Sequence, residues 1–289
     1  MENNQWEKEI GYALVTGATS GIGYELAKQA ALKGYNLVLV ANDEDRLATV
    51  STEFKRIGAT VRTINKDLSE ECAAKEVYQE TREMGIRINI LINDAGQGQY
   101  GMFADVDLDR HMEIIRLNVM SLVGLTYYFL NDMLRHNEGK ILQLGSVVSK
   151  EPMPMMSIYA ATKAFILSFT EGLINELKDT NVTMTLLMPG ATDTDFFHKA
   201  DMEDTKVYRE GKLASPEEVA EVAFEALLNG ERRIVGPPDR IQVAMAVLTP
   251  DDVLAENQRK GLEPSDKPAA ETRQYPEHQA SFDENRSSR

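Results

Sequence analysis

The stretch Thr16-Gly17-Ala18-Thr19-Ser20-Gly21-Ile22-Gly23 decides the fold, because its three glycines separate a strand pattern from a helix pattern. The apolar run before it, Tyr12-Ala13-Leu14-Val15, predicts a strand that is buried on both faces. After it, apolar residues recur at helical spacing as far as Gly34. A strand, a glycine-rich turn and a helix together present a helix N-terminus, where free N–H groups and the helix dipole favour a phosphate. The alternative is a glycine-rich turn that serves packing alone.

The same alternation of strand and helix continues along the chain, which predicts a parallel sheet with helices on both faces. The expected fold is a Rossmann-like, doubly wound, seven-stranded parallel sheet in a three-layer α/β/α arrangement. The predicted strands are Tyr12–Val15, Asn36–Ala41, Thr60–Asn65, Ile88–Ile92, Gly139–Gly145, Val182–Met188 and Arg232–Val235. The predicted long helices are Ser69–Met84, Asp107–His136 and Ser157–Asp179.

The domain organisation follows from where these patterns stop. Residues 1–260 are expected to form one domain. Within it, residues 193–212 lack a clear period, and we expect them to form a lid over the substrate. Residues 261–289 are polar and almost devoid of aliphatic side chains, which predicts a disordered tail.

Composition excludes several classes of function. The 289 residues carry a formal net charge of −15, which disfavours nucleic acid and anionic membrane surfaces as partners. The single cysteine, Cys72, excludes an internal disulfide, and the four histidines show no metal-ligand spacing, so no metal site is predicted. The N-terminus is polar and acidic, unlike a signal peptide, and we expect a soluble cytoplasmic protein.

A tyrosine and a lysine four residues apart form the second decisive pattern, Tyr159-Ala160-Ala161-Thr162-Lys163. On a helix these two side chains lie on one face. A nearby ammonium favours the phenolate, so Lys163 is expected to lower the pKa of Tyr159 towards neutrality. Such a tyrosine is able to give or take a proton near pH 7.

Together, the Thr-Gly-x-x-x-Gly-x-Gly stretch and the Tyr-x-x-x-Lys pair make the chain resemble the short-chain dehydrogenase/reductase family, in its compact single-domain branch. The resemblance implies an active site of four side chains. Tyr159 acts as general acid in reduction and as base in oxidation, and Lys163 also holds the nicotinamide ribose. Ser146 hydrogen-bonds the substrate oxygen, and Asn118 holds a water that links Lys163 to solvent. Their numbers in this chain are Asn118, Ser146, Tyr159 and Lys163.

The resemblance also implies a cofactor site drawn from the glycine turn, the residues after strands two to four and the turn after strand six. The expected cofactor-binding residues are Gly17, Thr19, Ser20, Gly21, Ile22, Gly23, Asn42, Asp67, Leu68, Asn93, Ala95, Gly96, Tyr159, Lys163, Pro189, Gly190, Thr192 and Thr194. The chain departs from the family pattern in three places. Asp94 replaces an asparagine, Gly145 replaces a serine, and Thr192 replaces a valine or isoleucine.

The choice of cofactor depends on the end of the second strand. An acid there selects NAD, whereas basic residues there or in the glycine turn accommodate the 2′-phosphate of NADP. Ala41 occupies the usual acidic position, while Asn42 and Ser20 occupy the usual basic ones. The missing acid favours NADP, and NAD stays open. Asp43 is able to reach a ribose hydroxyl or, alternatively, to cap the next helix.

The implied reaction is reversible hydride transfer between NAD(P)H and a carbonyl or alcohol. An apolar ketone or aldehyde is expected, because apolar side chains stand at the positions that wall the pocket, unless they serve packing or an oligomer contact. These wall residues are Tyr100, Met102, Phe103, Met153, Met155, Met156, Phe196, Phe197 and His198. Two other functions remain open: a cofactor-binding regulator without turnover, and a nucleotide-sugar epimerase or dehydratase, although the glycine spacing differs from the latter. The family pattern implies a homodimer or homotetramer built on the two helices Asp107–His136 and Ser157–Asp179.

Overall fold

The centre of the protein is a sheet of seven parallel strands, seen in a computed structural model that describes residues 11–236 and 239–267. The spatial order is β3-β2-β1-β4-β5-β6-β7, and every neighbouring pair is parallel. The strands are β1 Tyr12–Thr16, β2 Asn36–Ala41, β3 Val61–Asn65, β4 Ile88–Asn93, β5 Gly139–Leu144, β6 Val182–Met188 and β7 Arg233–Val235. The predicted seven-stranded Rossmann-like sheet is therefore confirmed. Strand order reverses between β1 and β4, so a crevice opens at their carboxyl ends.

Helices cover both faces of this sheet. The longer helices are α1 Gly21–Leu32, α2 Glu44–Arg56, α3 Ala73–Glu83, α4 Leu108–Ile115, α5 Leu122–His136, α6 Ser157–Glu176 and α9 Pro216–Asn229. The remaining helices are α7 Phe196–Lys199, α8 Lys206–Arg209, α10 Asp239–Ala246 and α11 Asp251–Leu262. A 3₁₀ turn, Val147–Lys150, connects β5 to the approach of α6.

Successive side chains of β1 enter two different cores, which explains its unbroken apolar sequence. Ala13 and Val15 pack with α1, α2 and α9 on one face. Leu14 packs with α3 and α5 on the other face. A central parallel strand has no solvent side, so its sequence cannot alternate between apolar and polar residues. The three layers follow directly.

The predicted single helix Asp107–His136 is wrong in one respect. The structure divides it into α4, a π-helical turn Arg116–Ser121, and α5. The extra residue of a π turn rotates the side chains that follow it, and here Asn118 is buried at 1% exposure. Asn118 then bonds to groups outside its own helix, which compensates the local distortion.

The predicted helix Ser69–Met84 begins later than expected, at Ala73. The Asp67 carboxylate accepts hydrogen bonds from the backbone N–H (2.8 Å) and the hydroxyl (2.7 Å) of Ser69, which fixes a turn instead. Cys72 has a left-handed backbone with φ 68°, so the helix cannot continue backwards through it.

The predicted disordered tail begins too early. Helix α11 runs to Leu262, which is buried at 1% exposure. Pro264 forms a bridge with Thr205, and the Ser265 N–H donates to the Asp204 carbonyl at 2.8 Å. These contacts fix the chain through residue 267, and the rest of the predicted tail, 268–289, lies outside the described residues, as do residues 1–10. The predicted lid, 193–212, contains α7 and α8.

Candidate active site

A cavity of about 450 Å³ opens at the carboxyl ends of the strands, where the strand order reverses. The glycine turn after β1 lies at one end, and Ser146, Tyr159 and Lys163 lie at the other. Seventeen of the predicted site residues therefore share one cavity. They are Gly17, Thr19, Ser20, Gly21, Ile22, Asn42, Asp67, Leu68, Ala95, Gly96, Ser146, Tyr159, Lys163, Pro189, Gly190, Thr192 and Thr194.

The glycine turn is shaped so that only glycine fits. Gly17 and Gly21 have φ of +67° and +59°, a region that L side chains rarely adopt. A Cβ on Gly23 would lie 2.5 Å from both the Gly17 carbonyl oxygen and an Asp94 carboxylate oxygen. Ser20 makes no capping hydrogen bond to α1, so the first N–H groups of that helix face the cavity without a side-chain acceptor from their N-cap.

At the end of β2, Asp43 caps the next helix, which was one of the two roles expected for it. Its carboxylate accepts from the Arg46 N–H at 3.0 Å and caps α2. The same carboxylate lies 3.4 Å from Arg46 Nε. Asn42, in contrast, lines the cavity. No carboxylate from the end of β2 is thus aimed into the cavity.

Three side chains converge at the end of the cavity opposite the glycine turn. Ser146 ends the loop after β5 and begins the 3₁₀ turn, where its hydroxyl accepts from the Val148 N–H at 3.3 Å. Tyr159 and Lys163 lie one turn apart on α6, as their spacing predicts. The Lys163 ammonium donates to the Leu144 carbonyl at 2.8 Å and lies 5.7 Å from the centroid of the Tyr159 ring.

The expected lowering of the Tyr159 pKa is not found. Burial raises the pKa of Tyr159 to about 12, against the opposing effect of a hydrogen bond with Ser146. The Lys163 ammonium is directed to a carbonyl rather than to the phenol oxygen, which removes the expected effect. Burial lowers the pKa of Lys163 itself to about 8, while the charge of Asp94 acts in the opposite direction. Tyr159 is therefore protonated at neutral pH.

Asn93 and Asn118 are not among the residues that line the cavity. The Asn93 amide donates to Thr126 Oγ1 (3.1 Å) and Gln143 Oε1 (3.0 Å), so it ties β4 to its neighbours. Asn118 donates to the Gln97 carbonyl (2.9 Å) and to Thr162 Oγ1 (3.0 Å). Both donors of its amide are thus committed to protein groups. Gly23, the last residue of the glycine turn, also does not line the cavity.

In the turn after β6, the predicted residues Pro189, Gly190, Thr192 and Thr194 all line the cavity. Thr192 is buried and donates to the Gly190 carbonyl at 3.0 Å, and it forms a bridge with Ala214. A Cβ on Gly190 would lie 2.6 Å from the Asp239 carboxylate, so glycine is needed for the approach of α10. Thr194 stands against Gly21, whose Cβ would lie 3.0 Å from the threonine methyl. The turn thereby closes the cavity over the glycine turn.

A dinucleotide cofactor fits this arrangement. Its diphosphate matches the uncapped start of α1, where a Cβ is excluded at Gly23. A Cβ on Gly96 would lie 3.3 Å from Asn118 Oδ1 and in ordinary contact, at 3.7 Å, with the Lys163 ammonium, so glycine keeps the space beside these two side chains open. The model of the short chain dehydrogenase family matches residues 11–205 of this chain, from the start of β1 to the lid.

The chain belongs to the short-chain dehydrogenase family. The sequence-based assignment to this family, and with it to the dehydrogenases and reductases, is confirmed. The "Sulfoacetaldehyde reductase 2" of Chromohalobacter salexigens is 33% identical over 245 residues, which cover 81% of this chain and 97% of that protein.

Two further relatives extend the comparison. A short-chain dehydrogenase from Sphingobium yanoikuyae, solved in complex with NADPH, superimposes with a TM-score of 0.75 at 30% identity, covering 90% of this chain and 99% of that one. The very-long-chain 3-oxoacyl-CoA reductase of Mycosarcoma maydis is 32% identical over 181 residues, 61% of this chain. The matched region spans only 51% of that reductase.

Asp94 is the departure from the family pattern with the largest electrostatic consequence. Burial raises the pKa of its carboxyl to about 7, opposed by Lys163, by the Gly23 N–H and by Lys199. Its Oδ1 is buried and has no hydrogen-bond partner within the described parts of the chain. A short-chain dehydrogenase with asparagine here would place a neutral amide behind the glycine turn. This chain places a titratable acid between that turn and Lys163.

The substrate end of the cavity was only partly predicted. Met153, Met156, Phe196 and Phe197 line it, and the Phe196 ring lies 5.0 Å from the Tyr159 ring. The other predicted wall residues lie elsewhere: Tyr100, Met102, Phe103, Met155 and His198. Tyr100, for example, donates to the Leu262 carbonyl at 2.8 Å, and Phe103 stacks on His111.

Sequence reasoning missed Gln242 and Gln258, which line the cavity from α10 and α11. It also missed Met202 and Val207 in the lid. No motif marks these positions, and Val207, Gln242 and Gln258 lie beyond residue 205, where the family match ends. The only available signal was their location in helices that follow the last strand.

Proposed function

We propose that this protein is an NAD(P)-dependent oxidoreductase that transfers hydride between the nicotinamide cofactor and an apolar ketone or aldehyde, or the corresponding alcohol. The observation that carries the proposal is that Ser146, Tyr159 and Lys163 share one cavity with the glycine turn. The bound cofactor supplies the hydride, and the protein supplies position and charge.

Each of the three side chains has a distinct role in carbonyl reduction. Tyr159 is protonated at neutral pH and donates its proton to the substrate oxygen as negative charge develops there. Ser146 lies beside Tyr159 and donates a hydrogen bond to the same oxygen. The Lys163 ammonium, fixed by the Leu144 carbonyl, provides positive charge close to the ring. Because its pKa is high, Tyr159 holds the proton that reduction requires at neutral pH.

The walls of the cavity support an apolar substrate. Met153, Met156 and Phe197 are buried side chains on that wall, and Phe196 covers the Tyr159 ring. Methionine adapts to irregular shapes, so a bulky hydrocarbon group adjacent to the carbonyl is accommodated. The lid residues Met202 and Val207 extend the apolar surface.

The end of β2 supports NADP. Asp43 is engaged with Arg46 and caps α2, so it does not accept from a ribose 2′-hydroxyl. Ser20 and Asn42 line the cavity and offer neutral hydrogen-bond donors to a 2′-phosphate. The Sphingobium yanoikuyae relative was solved with NADPH, which agrees with this preference.

The test is the absorbance of reduced nicotinamide, with NADPH and NADH in parallel and a panel of aliphatic and aromatic ketones and aldehydes. We expect consumption of NADPH with apolar ketones, and slower consumption of NADH. Cofactor binding without turnover of any carbonyl would instead support a regulator. A preference for small, charged carbonyl compounds would contradict the apolar pocket.

We further propose that the protein forms a homodimer or homotetramer through α5 and α6. Tyr127 and Leu134 on α5 are 64% and 39% exposed, and Phe165 on α6 is 41% exposed. Exposed aromatic and aliphatic side chains on adjacent helices are typical of a surface that another subunit covers. Light scattering of the purified protein tests this proposal, and a monomer at micromolar concentration would contradict it.

The Asp94→Asn substitution is expected to move the high-pH limit of activity to lower pH. Charged Lys163 is required, and its pKa of about 8 is held up by the Asp94 carboxylate. Since a neutral amide cannot support the ammonium, the pKa of Lys163 falls further in the variant. The profile of kcat/KM against pH therefore begins to fall at lower pH than in the wild type.

The matched control is Glu138→Gln, which removes one carboxylate from an exposed ion pair with Arg87. Its pH profile should coincide with that of the wild type. If Asp94→Asn leaves the falling limb in place, or moves it to higher pH, the coupling between Asp94 and Lys163 does not control the active site.

A further inference from the structure

A buried carboxylate lies behind the substrate end of the cavity. Glu151 is 7% exposed and directly follows the 3₁₀ turn that begins at Ser146. Its two oxygens accept hydrogen bonds from two amides on different helices, Gln242 on α10 (3.0 Å) and Gln258 on α11. A buried acid needs such partners, because desolvation without them is costly. Glu151 therefore fixes both glutamine side chains.

The chemistry of Glu151 decides which way each amide faces. A carboxylate oxygen accepts hydrogen bonds, and each glutamine directs its amide nitrogen to Glu151. One N–H of each amide serves Glu151, which leaves the Oε1 atom and the second N–H of Gln242 and of Gln258 for other partners. The two glutamines line the cavity and Glu151 does not, so each amide is able to offer the cavity an acceptor oxygen and a donor N–H.

The separation between Ser146 and the two glutamines, Gln242 and Gln258, bears on the length of a substrate that contacts both ends. The 3₁₀ turn Val147–Lys150 separates Ser146 from Glu151, which corresponds to about 10 Å of backbone at roughly 2 Å per residue. The wall between the two ends is apolar, with Met153, Met156 and Phe197. Because Ser146 and both glutamines line the same cavity, one elongated substrate is able to contact all three side chains.

We propose that Gln242 and Gln258, oriented by Glu151, recognise a hydroxyl group at the far end of a neutral, apolar ketone. A hydroxyl is able to donate to an amide oxygen and to accept from an amide N–H, whereas the carboxylate of Glu151 behind the two amides disfavours an anionic group. Lys199, the cation of the lid that lines the cavity, acts on Asp94 and so belongs to the cofactor end. The inference rests on the proposed ketone reduction and adds the substrate class.

The experiment compares three ketones of one rigid shape: 4-(4-hydroxyphenyl)cyclohexanone, 4-phenylcyclohexanone and 4-(4-oxocyclohexyl)benzoate. The readout is kcat/KM with NADPH in excess. For the wild type we expect about a tenfold preference for the hydroxyl compound over the unsubstituted one, the size of one or two hydrogen bonds. We expect the carboxylate compound to be the poorest substrate.

The variants distinguish recognition of the substrate hydroxyl from a purely structural role in holding α10 and α11 in place. In the double variant Gln242→Leu/Gln258→Leu, the preference should fall to near unity while the unsubstituted ketone is still reduced. In Glu151→Gln, the amides are no longer forced into one orientation, and the preference should fall as well. The matched control is Asn257→Leu, an exposed amide on α11 beside Gln258, which should retain the tenfold preference.

The following results would contradict the hydroxyl site, the role of Glu151 or the proposed function. If the wild type reduces the two neutral ketones with equal kcat/KM, the proposed hydroxyl site is wrong, while the proposed ketone reduction stands. A preference that survives in the double variant, or that Asn257→Leu abolishes equally, overturns the hydroxyl site as well. If Glu151→Gln lowers Tm without changing the preference, Glu151 is a support for α10 and α11 only. No reduction of either neutral ketone rejects the proposed function, and the inference with it.

Discussion

Replacing Tyr159 with phenylalanine is expected to lower kcat/KM for carbonyl reduction by about 10³-fold, within the range known for general acids. The substitution removes the only proton that the phenol offers to the substrate oxygen, and it leaves the ring that packs against Phe196. Because the pKa of Tyr159 is raised to about 12, the wild-type side chain carries that proton throughout the neutral range. Steady-state kinetics with NADPH and the best ketone measure the effect.

The control for this prediction is Tyr78→Phe, which removes a hydroxyl that donates to Asp132 outside the cavity. Its kinetics should match those of the wild type. Cofactor binding, followed by NADPH fluorescence, should be nearly unchanged in Tyr159→Phe. A loss of less than tenfold in kcat/KM would show that another group supplies the proton.

The second large effect is expected from Gly23→Ala, which should weaken NADPH binding by about 10- to 100-fold. The new Cβ would lie 2.5 Å from the Gly17 carbonyl oxygen, a backbone atom that cannot rotate away. The glycine turn must then move, at a cost on the order of 1–3 kcal/mol, and its N–H groups lose their alignment. Fluorescence titration of NADPH measures the change in Kd.

Gly172→Ala is the matched control for this substitution. Gly172 lies on the exposed side of α6, and a Cβ there meets no atom within 4 Å in the described structure. Alanine in a helix interior is favoured over glycine by up to about 1 kcal/mol, so Tm should rise slightly while NADPH binding stays constant. If Gly23→Ala binds NADPH as tightly as the wild type, the cofactor does not lie at the glycine turn.

Most of the fold was predictable because the central strands are apolar on both faces. Leu37 to Val40 in β2 are all buried, and such a run between helices leaves few arrangements other than a parallel sheet. The glycine turn and the Tyr159–Lys163 spacing then placed both ends of the cavity, because each depends on neighbours in sequence. Local chemistry sufficed for these features.

The features that escaped prediction depend on distant partners. Glu151 lies 91 and 107 residues from Gln242 and Gln258, and no local pattern links them. The pKa of Tyr159 depends on burial and on where Lys163 donates, neither of which four-residue spacing reveals. The π turn at Arg116–Ser121 has an ordinary helical sequence, and only the packing of Asn118 against Thr162 exposes it.

The contacts between the lid and the chain after α11 affect how fast substrate enters and product leaves the cavity. Arg209 on α8 donates to the carbonyls of Ser265 (3.0 Å) and Lys267 (3.1 Å), and Lys206 pairs with Glu263 at 2.6 Å. These contacts fasten the part of the lid that carries α8 to the chain after α11. Admission and release require these bonds to break together, as one cooperative opening. We expect the rate of this opening to set an upper limit on how fast product leaves the cavity.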